Sequence, residues 1–358
     1  MPKVSVVMAS YNHEKYVGQA VRSVLDQTYQ DFELVITDDC STDHTAAEIA
    51  RFTDPRIRLF RSPSNRGQFV ATNHCLREAT GEYIAVLNSD DVFLPAKLER
   101  QVRFLDEHPD VAAVFCQARI IDEQSRTVQG KKTFLCENRS RAEWLNRFFH
   151  KDNRLCHPSV LMRRQCHETV GAYNECYAQL ADYDLWIRLC LQYEIYILPE
   201  ELVGFRVLPE NANMSGRRPD SIKRRWWEHR HILENYLSIR DSGFFAQVFP
   251  EARQYGDNVP AMLLPFVLAR LALAAKSRRQ THQAFALDTI YRLLGQPETA
   301  EALRRHFGFD FKDFIGLTGR CDVFNAFALR QIRAQHQRAL TGWWDVTQRR
   351  LNRWRRGQ

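Results

Sequence analysis

Two pairs of adjacent aspartates, Asp38-Asp39 and Asp90-Asp91, each follow a short apolar run, FELVIT (32–37) and EYIAVL (82–87). Adjacent like charges repel, so two such pairs on one rim call for a cation or several donor groups to face them. Another acidic pair, Asp182 and Asp184, lies in ADYDLWIRL (181–189). Two residues apart on a helix, these side chains point in different directions. Asp182 precedes Leu185 and Trp186 by three and four residues and shares their apolar face, whereas Asp184 precedes Arg188 by four, the spacing of an exposed ion pair. An acid on the buried side of a helix near a cleft has its pKa raised toward the range of a general base. Asp182 also suits a helix N-cap, and the two roles are compatible.

These carboxylates have to be positioned by the elements around them. Runs at 3–9, 32–37, 57–60, 82–87 and 111–115 are short, continuous and apolar, the pattern of strands buried on both faces. Between them, the spacing of Tyr16/Val17, Ala20/Val21 and Val24/Leu25 predicts a helix over 14–28. Further helices are expected at 45–52, opened by Thr45-x-x-Glu48 as a capping box, at 68–80, ended by Gly81, and after Pro95 at its first position. Alternating strands and helices imply an α/β fold with a mostly parallel sheet and right-handed crossovers. Ligands bind such sheets beyond the carboxyl ends of the strands, where both aspartate pairs fall. The stretch 120–215 is mixed and loop-rich, with one clear helix at 182–193. Beyond 216, helices are expected at 222–240, 261–276, 282–294 and 326–356.

The chain has 358 residues, 44% hydrophobic and 26% charged, which excludes a disordered regulator and leaves room for two domains. Residues 1–215 carry 25 Lys and Arg against 30 Asp and Glu, and residues 216–358 carry 25 against 13. The boundary is therefore expected near 215, with a basic, mainly helical domain after it. The apolar run 260–275 is broken by Pro265 and Arg270 and is shorter than the roughly 20 residues of a membrane span. The opening reaches Tyr11 and Asn12 too early for a secretory leader, so a cytoplasmic protein is expected. Nine cysteines without a Cys-x-x-Cys pair read as reduced, mostly core residues. No G-x-G-x-x-G follows the first strand and no P-loop is present. A phosphate ligand would instead be met by Mg²⁺ or Mn²⁺ held on carboxylates. No nucleic-acid-binding motif is visible, so no nucleic acid partner is expected.

Four segments in order, 4–45, NRG (65–67), GEYIAVLNSDD (81–91) and ADYDLWIRL (181–189), resemble the inverting glycosyltransferases of family two. The resemblance covers about residues 3–215. It implies a GT-A fold, Rossmann-like, and a nucleotide-diphospho-sugar donor, with UDP as the expected nucleotide. By this resemblance Asp39 accepts from the base, Asp38 supports its loop, Tyr11 stacks on the base, and the backbone of Ala9 and Ser10 flanks it. Asn65 resembles the polar contact to the base. Asp90 and Asp91 match the D-x-D element and share a divalent metal and the ribose hydroxyl, with the division between them open. Asp182 matches the base that takes the proton of the acceptor hydroxyl. The chain departs from the common pattern at Ala9, Cys40, Thr72, Asn88 and Leu208. The acceptor is expected to be a glycan or a lipid-linked sugar in surface polysaccharide synthesis. Two readings of other classes stand beside this one, a sugar nucleotidyltransferase and a non-catalytic nucleotide-sugar or polyanion binding protein.

One more expectation rests on periodicity alone. Over 340–356, Leu340, Trp343, Trp344, Thr347, Leu351 and Trp354 fall on one helical side with most of the arginines opposite. Such a helix suits an anionic membrane surface, or else packs on its own domain through the tryptophans. Trp226-Trp227 beside Lys223, Arg224 and Arg225 is a possible second contact.

Overall fold

A computed structural model describes residues 1–128, 137–209, 213, 216, 218–256, 258–277 and 279–325. Strand β1 (Val4–Ser10) is buried at all but one position, as its valine-rich sequence requires of a central strand. It pairs in parallel with β2 (Phe32–Asp38) on one side and β4 (Tyr83–Val86) on the other, and β3 (Ile57–Arg61) continues outward from β2. Beyond β4 run β7 (Leu161–Arg163), β6 (Val111–Ile121), β8 (Glu194–Arg206) and β5 (Val92–Phe93), giving the order β3-β2-β1-β4-β7-β6-β8-β5. Four pairings are parallel and three, all involving β7 or β5, are antiparallel.

The crossover helices α1 (Val17–Leu25), α3 (Gln68–Glu78) and α4 (Lys97–Glu107) cover this sheet, α1 through the fully buried Val17, Ala20, Val21 and Val24. Three sequence signals act differently from their reading. Thr45 does not cap α2 (Thr45–Ala50) but lies within it, and Asp43 accepts from its N–H and its hydroxyl. Gly81 lies past the end of α3 because a Cβ there would stand 2.5 Å from the Ser5 nitrogen on β1. Pro95 lies two residues ahead of α4. Strand β8 was hidden in the sequence by Pro199, Glu200 and Glu201; the register against β6 shifts beside Cys116 and Gln117, and that irregularity absorbs them.

Two compact units part between Asp257 and Asn258, later than the boundary the charge balance suggests. Helix α8 (Pro219–Ile232) belongs to the first unit because its side chains lock into it. Glu228 accepts from backbone amides ahead of α7 (Ala181–Gln192), and the Tyr236 hydroxyl, just past α8, donates to the Leu145 carbonyl of α5 (Arg141–His150). The second unit is helical throughout its described regular elements, with α10 (Leu264–Ala274), α11 (Arg279–Leu294), α12 (Pro297–Phe307) and α13 (Phe311–Thr318). The helix expected over 326–356 lies outside the described residues. Among the described residues no helix is long and apolar enough to cross a membrane.

Lys97 is fully buried at the start of α4. Its ammonium donates to the Val160 carbonyl at 3.3 Å and lies 4.0 Å from the centre of the Phe93 ring. Burial lowers its pKa from 10.5 to about 8. The unfolded chain therefore binds this proton more tightly, and the group costs stability below pH 8, a cost relieved as pH rises toward 10.5. Lys97→Met should raise stability by on the order of 2–3 kcal/mol at pH 7, with the gain shrinking above pH 8. Denaturant unfolding of both proteins across pH 6.5–10 checks this.

Candidate functional site

The parallel register sets Ser10 beside Asp38, so the carboxyl ends of β1 and β2 finish level, and the loop after β4 rises next to them. Asp38 is fully buried and accepts from the Ser41 hydroxyl and, at 3.2 Å, from the Ser41 amide, which closes its own loop. This tight closure puts Cys40 at φ +61°, the left-handed region that favours glycine. Asp39 is buried too, and its carboxylate receives the amides of Arg66 and Gly67 at 2.8–3.1 Å. It thereby fixes the turn that exposes Asn65 and opens α3. Tyr11 stands at the same rim, 41% exposed, while the Ser10 hydroxyl is buried with no partner among the described residues. Ala9 precedes it, partly buried, as the penultimate residue of β1.

The rim loops are laced together. Asn12 accepts from the Thr42 amide at 2.8 Å, the His13 amide donates to the Thr45 hydroxyl at 2.7 Å, and the His13 ring meets the Ser89 hydroxyl at 2.8 Å. His13 thus joins the loop after β1 to both the loop after β2 and the loop after β4. Nothing in its sequence neighbourhood announced this.

Asp90 and Asp91 stand in different surroundings. Asp91 is 1% exposed, with Oδ1 taking the Arg206 amide at 2.7 Å and Oδ2 taking the Asn88 side chain at 2.8 Å. Burial, and then the charge of Asp90, hold its carboxyl well above the usual range. Asn88 supplies a donor where an aspartate would add a third negative charge. Among the described residues the Asp90 carboxylate is engaged only by Asn213, at 3.3 Å on Oδ2, and pairs with no cation. Arg206, which sequence reasoning passed over, is fully buried. Its guanidinium donates to the carbonyls of Asp90, Asp122 and Glu123, to Gln19 and to the Ser125 hydroxyl, at 2.7–3.1 Å. An arginine at the end of a loop-flanked strand gives little sequence signal for such a role.

Helix α7 brings the last carboxylate. Asp182 occupies the second helical position and not the N-cap, which is Leu180. The Tyr183 amide donates to its Oδ1 at 2.8 Å and Asn153 to its Oδ2 at 3.0 Å. Burial pushes its pKa up to about 6, against the opposing pull of these donors and of Arg225. Asp184 is paired with Arg188 at 2.8 Å, as its spacing suggests, but at 5% exposure, so this is a buried pair held further by Asn235 at 2.8 Å. The apolar face reading therefore underestimated the burial of the second acid, because α8 and the turn after it cover that side. The buried Cys156 thiol feels the charges of both Asp91 and Asp182, so the β4 loop and the start of α7 border one region. Asn73 of α3 fixes the segment leading into α7 by exchanging hydrogen bonds with the Tyr173 backbone at 2.8 and 3.1 Å.

Among the described residues no group of three or more His, Cys, Asp or Glu gathers to hold a metal. The donor set fits a divalent cation only in the manner of Mg²⁺ or Mn²⁺, held by one carboxylate and completed by phosphate oxygens and water. Asp90, with Oδ1 unengaged by any described residue, is the carboxylate suited to this.

Residues 5–170 match Glycosyl transferase family 2. An uncharacterized glycosyltransferase of Methanocaldococcus jannaschii is 30% identical over 246 residues, 65% of this chain and 83% of that protein. The UDP-Glc:alpha-D-GlcNAc-diphosphoundecaprenol beta-1,3-glucosyltransferase WfgD of Escherichia coli is 36% identical over 122 residues, 34% of this chain; the match spans less than half, 48%, of that enzyme. Among solved structures, S. aureus TarS 1-349 in complex with UDP-GlcNAc superposes with a TM-score of 0.55 at 20% identity, over 85% of this chain and 92% of that one, a likeness of fold. Taken with the matched segment and the carboxylate-lined rim, these similarities establish that the chain belongs to glycosyl transferase family 2.

Proposed function

We propose that this protein is an inverting glycosyltransferase that moves a sugar from a UDP-sugar to a hydroxyl of a glycan or lipid-linked acceptor in surface polysaccharide synthesis. The observation that carries this reading is the placement of Asp182, elevated to about 6 and held by two donors, beside the region bordered by the β4 loop. The activity that names the WfgD relative, with a UDP-Glc donor and an alpha-D-GlcNAc-diphosphoundecaprenol acceptor, supports the choice of donor and acceptor class.

In this reading the base rests on Tyr11, with Asp39, Asn65, Ser10 and the Ala9 backbone at its edge. Asp90 holds the divalent cation, and Asp91 serves the fold by receiving Arg206 and Asn88. A cation bound there would neutralise charge on the departing diphosphate. Asp182 receives the proton of the acceptor hydroxyl as its oxygen attacks the anomeric carbon from the side opposite the diphosphate, and the bond to the diphosphate breaks. A carboxylate with a pKa near 6 is deprotonated at neutral pH yet more basic than an exposed aspartate.

Attachment to the membrane belongs to the same proposal. The helix expected at 340–356 lies outside the described residues, but α8 presents Trp226 and Trp227, 46% and 53% exposed, next to the exposed Lys223 and Arg224. Tryptophans with basic neighbours suit the interface of an anionic bilayer.

Three outcomes are expected. UDP should bind in calorimetry at least tenfold more tightly with Mn²⁺ than with EDTA, and Asp90→Asn should abolish that difference; equal affinity in EDTA would refute the metal assignment. Asp182→Asn should lower transfer by about 10²–10⁴-fold with UDP affinity unchanged, whereas Asp184→Asn, which breaks a buried ion pair, should chiefly lower the melting temperature. Flotation with anionic liposomes should recover the full chain, and Trp226→Ala/Trp227→Ala should weaken recovery; binding unaffected by lipid charge and by the substitutions would count against membrane attachment through α8.

A further inference from the structure

The segment just ahead of α7 presents three consecutive backbone amides, those of Ala178, Gln179 and Leu180, to one side chain. Glu228 of α8 accepts from all three, at 2.8 Å from Ala178, 2.9 and 3.2 Å from Gln179 and 2.7 Å from Leu180. Its carboxylate is 2% exposed, and α7 has no side-chain cap of its own. A buried carboxylate needs such donors, and a helix start with unsatisfied amides needs such an acceptor. Each therefore satisfies the other, across an interval of about 50 residues in sequence.

We propose that Glu228 is a positioning residue for Asp182, fixing the start of α7 and cancelling the positive end of its dipole so that Asp182 stays basic. This rests on the reading of Asp182 as the base. The N-terminal end of a helix carries about half a positive charge, which stabilises a nearby carboxylate and lowers its pKa. Asp182 lies within the first turn of α7, where that effect is largest. The negative charge of Glu228, seated on the amides that lead into this turn, opposes it. The other groups that face Asp182 are Arg225 on α8, which favours its charged form, and the thiol of Cys156 and the hydroxyls of Tyr173 and Tyr183, whose own ionisation its charge opposes. Arg225 and Glu228 lie three residues apart on α8, so one helix supplies both the opposing charge and the cap.

The test reads the Asp182 proton directly through stability and needs no substrate. Asp182 binds its proton more tightly in the folded chain, about 6 against 3.8. Its contribution therefore favours folding at low pH and is lost as pH rises from about 4 to about 6. The Asp182→Asn variant lacks this slope, so its stability advantage over the wild type should widen across that window. The same pair is then compared in a Glu228→Gln background, which removes the charge and keeps the shape. The upper edge of the window should move down by about half a pH unit, its lower edge staying at the unfolded value, while near-ultraviolet circular dichroism shows the fold retained. An unmoved window overturns the proposal alone. A gap that never widens in the wild-type background overturns it together with the reading of Asp182 as an elevated carboxyl. Glu228→Asp, which keeps the charge, provides the check should Glu228→Gln fail to fold. Its window should coincide with the wild type, and a downward move there overturns the role given to the charge.

Discussion

The burial of Arg206 against the loop after β4 is the constraint on which the site depends. A guanidinium with no access to water has to find an acceptor for every donor, and here they are found in the carbonyls of Asp90, Asp122 and Glu123 and in two side chains. Its backbone amide goes to Asp91. One residue at the end of β8 thereby dictates the course of the loop that carries the acidic pair, the loop after β6 and one face of α1. The arrangement also separates the two aspartates chemically. Asp91 is drawn inward and satisfied by protein donors, and Asp90 remains at the rim.

The other half of the site follows from a similar exchange of buried groups. Asp39 ties the end of β2 to the start of α3, Asn73 ties α3 to the segment before α7, and His13 ties the first loop to the NSDD loop. Each bond joins residues far apart in sequence. The rim is thus rigid before any ligand arrives, which is the condition under which carboxylates placed for a transition state act without reorganising.

Much of the N-terminal unit was legible in the sequence because its strands are short apolar runs between helices with clear four-residue periodicity. The acidic pairs were found by their type and position alone. What stayed hidden was of two kinds. Strand β8 is interrupted by Pro199 and two glutamates, so its pattern breaks where the register shifts against β6. Arg206, His13 and Glu228 gain their roles only from partners that the fold delivers, and a lone arginine, histidine or glutamate carries no spacing signature. The burial of Asp184 belongs with these, since the i,i+4 spacing to Arg188 announces the pair but not the cover that α8 and the following turn provide. The two compact units part later than the charge balance suggests for the same reason. Charge marks surface, whereas α8 joins the first unit through its buried residues.

The central claim is the division of labour between Asp90 and Asp91. A crystal structure of the full chain with UDP and Mn²⁺ tests it most directly. The account predicts the ion bound to an Asp90 oxygen and to the diphosphate, with Asp91 still receiving the Arg206 amide and the Asn88 side chain. An ion bound to Asp91 with the Arg206 contact broken, or UDP seated away from Tyr11 and Asp39, would contradict it.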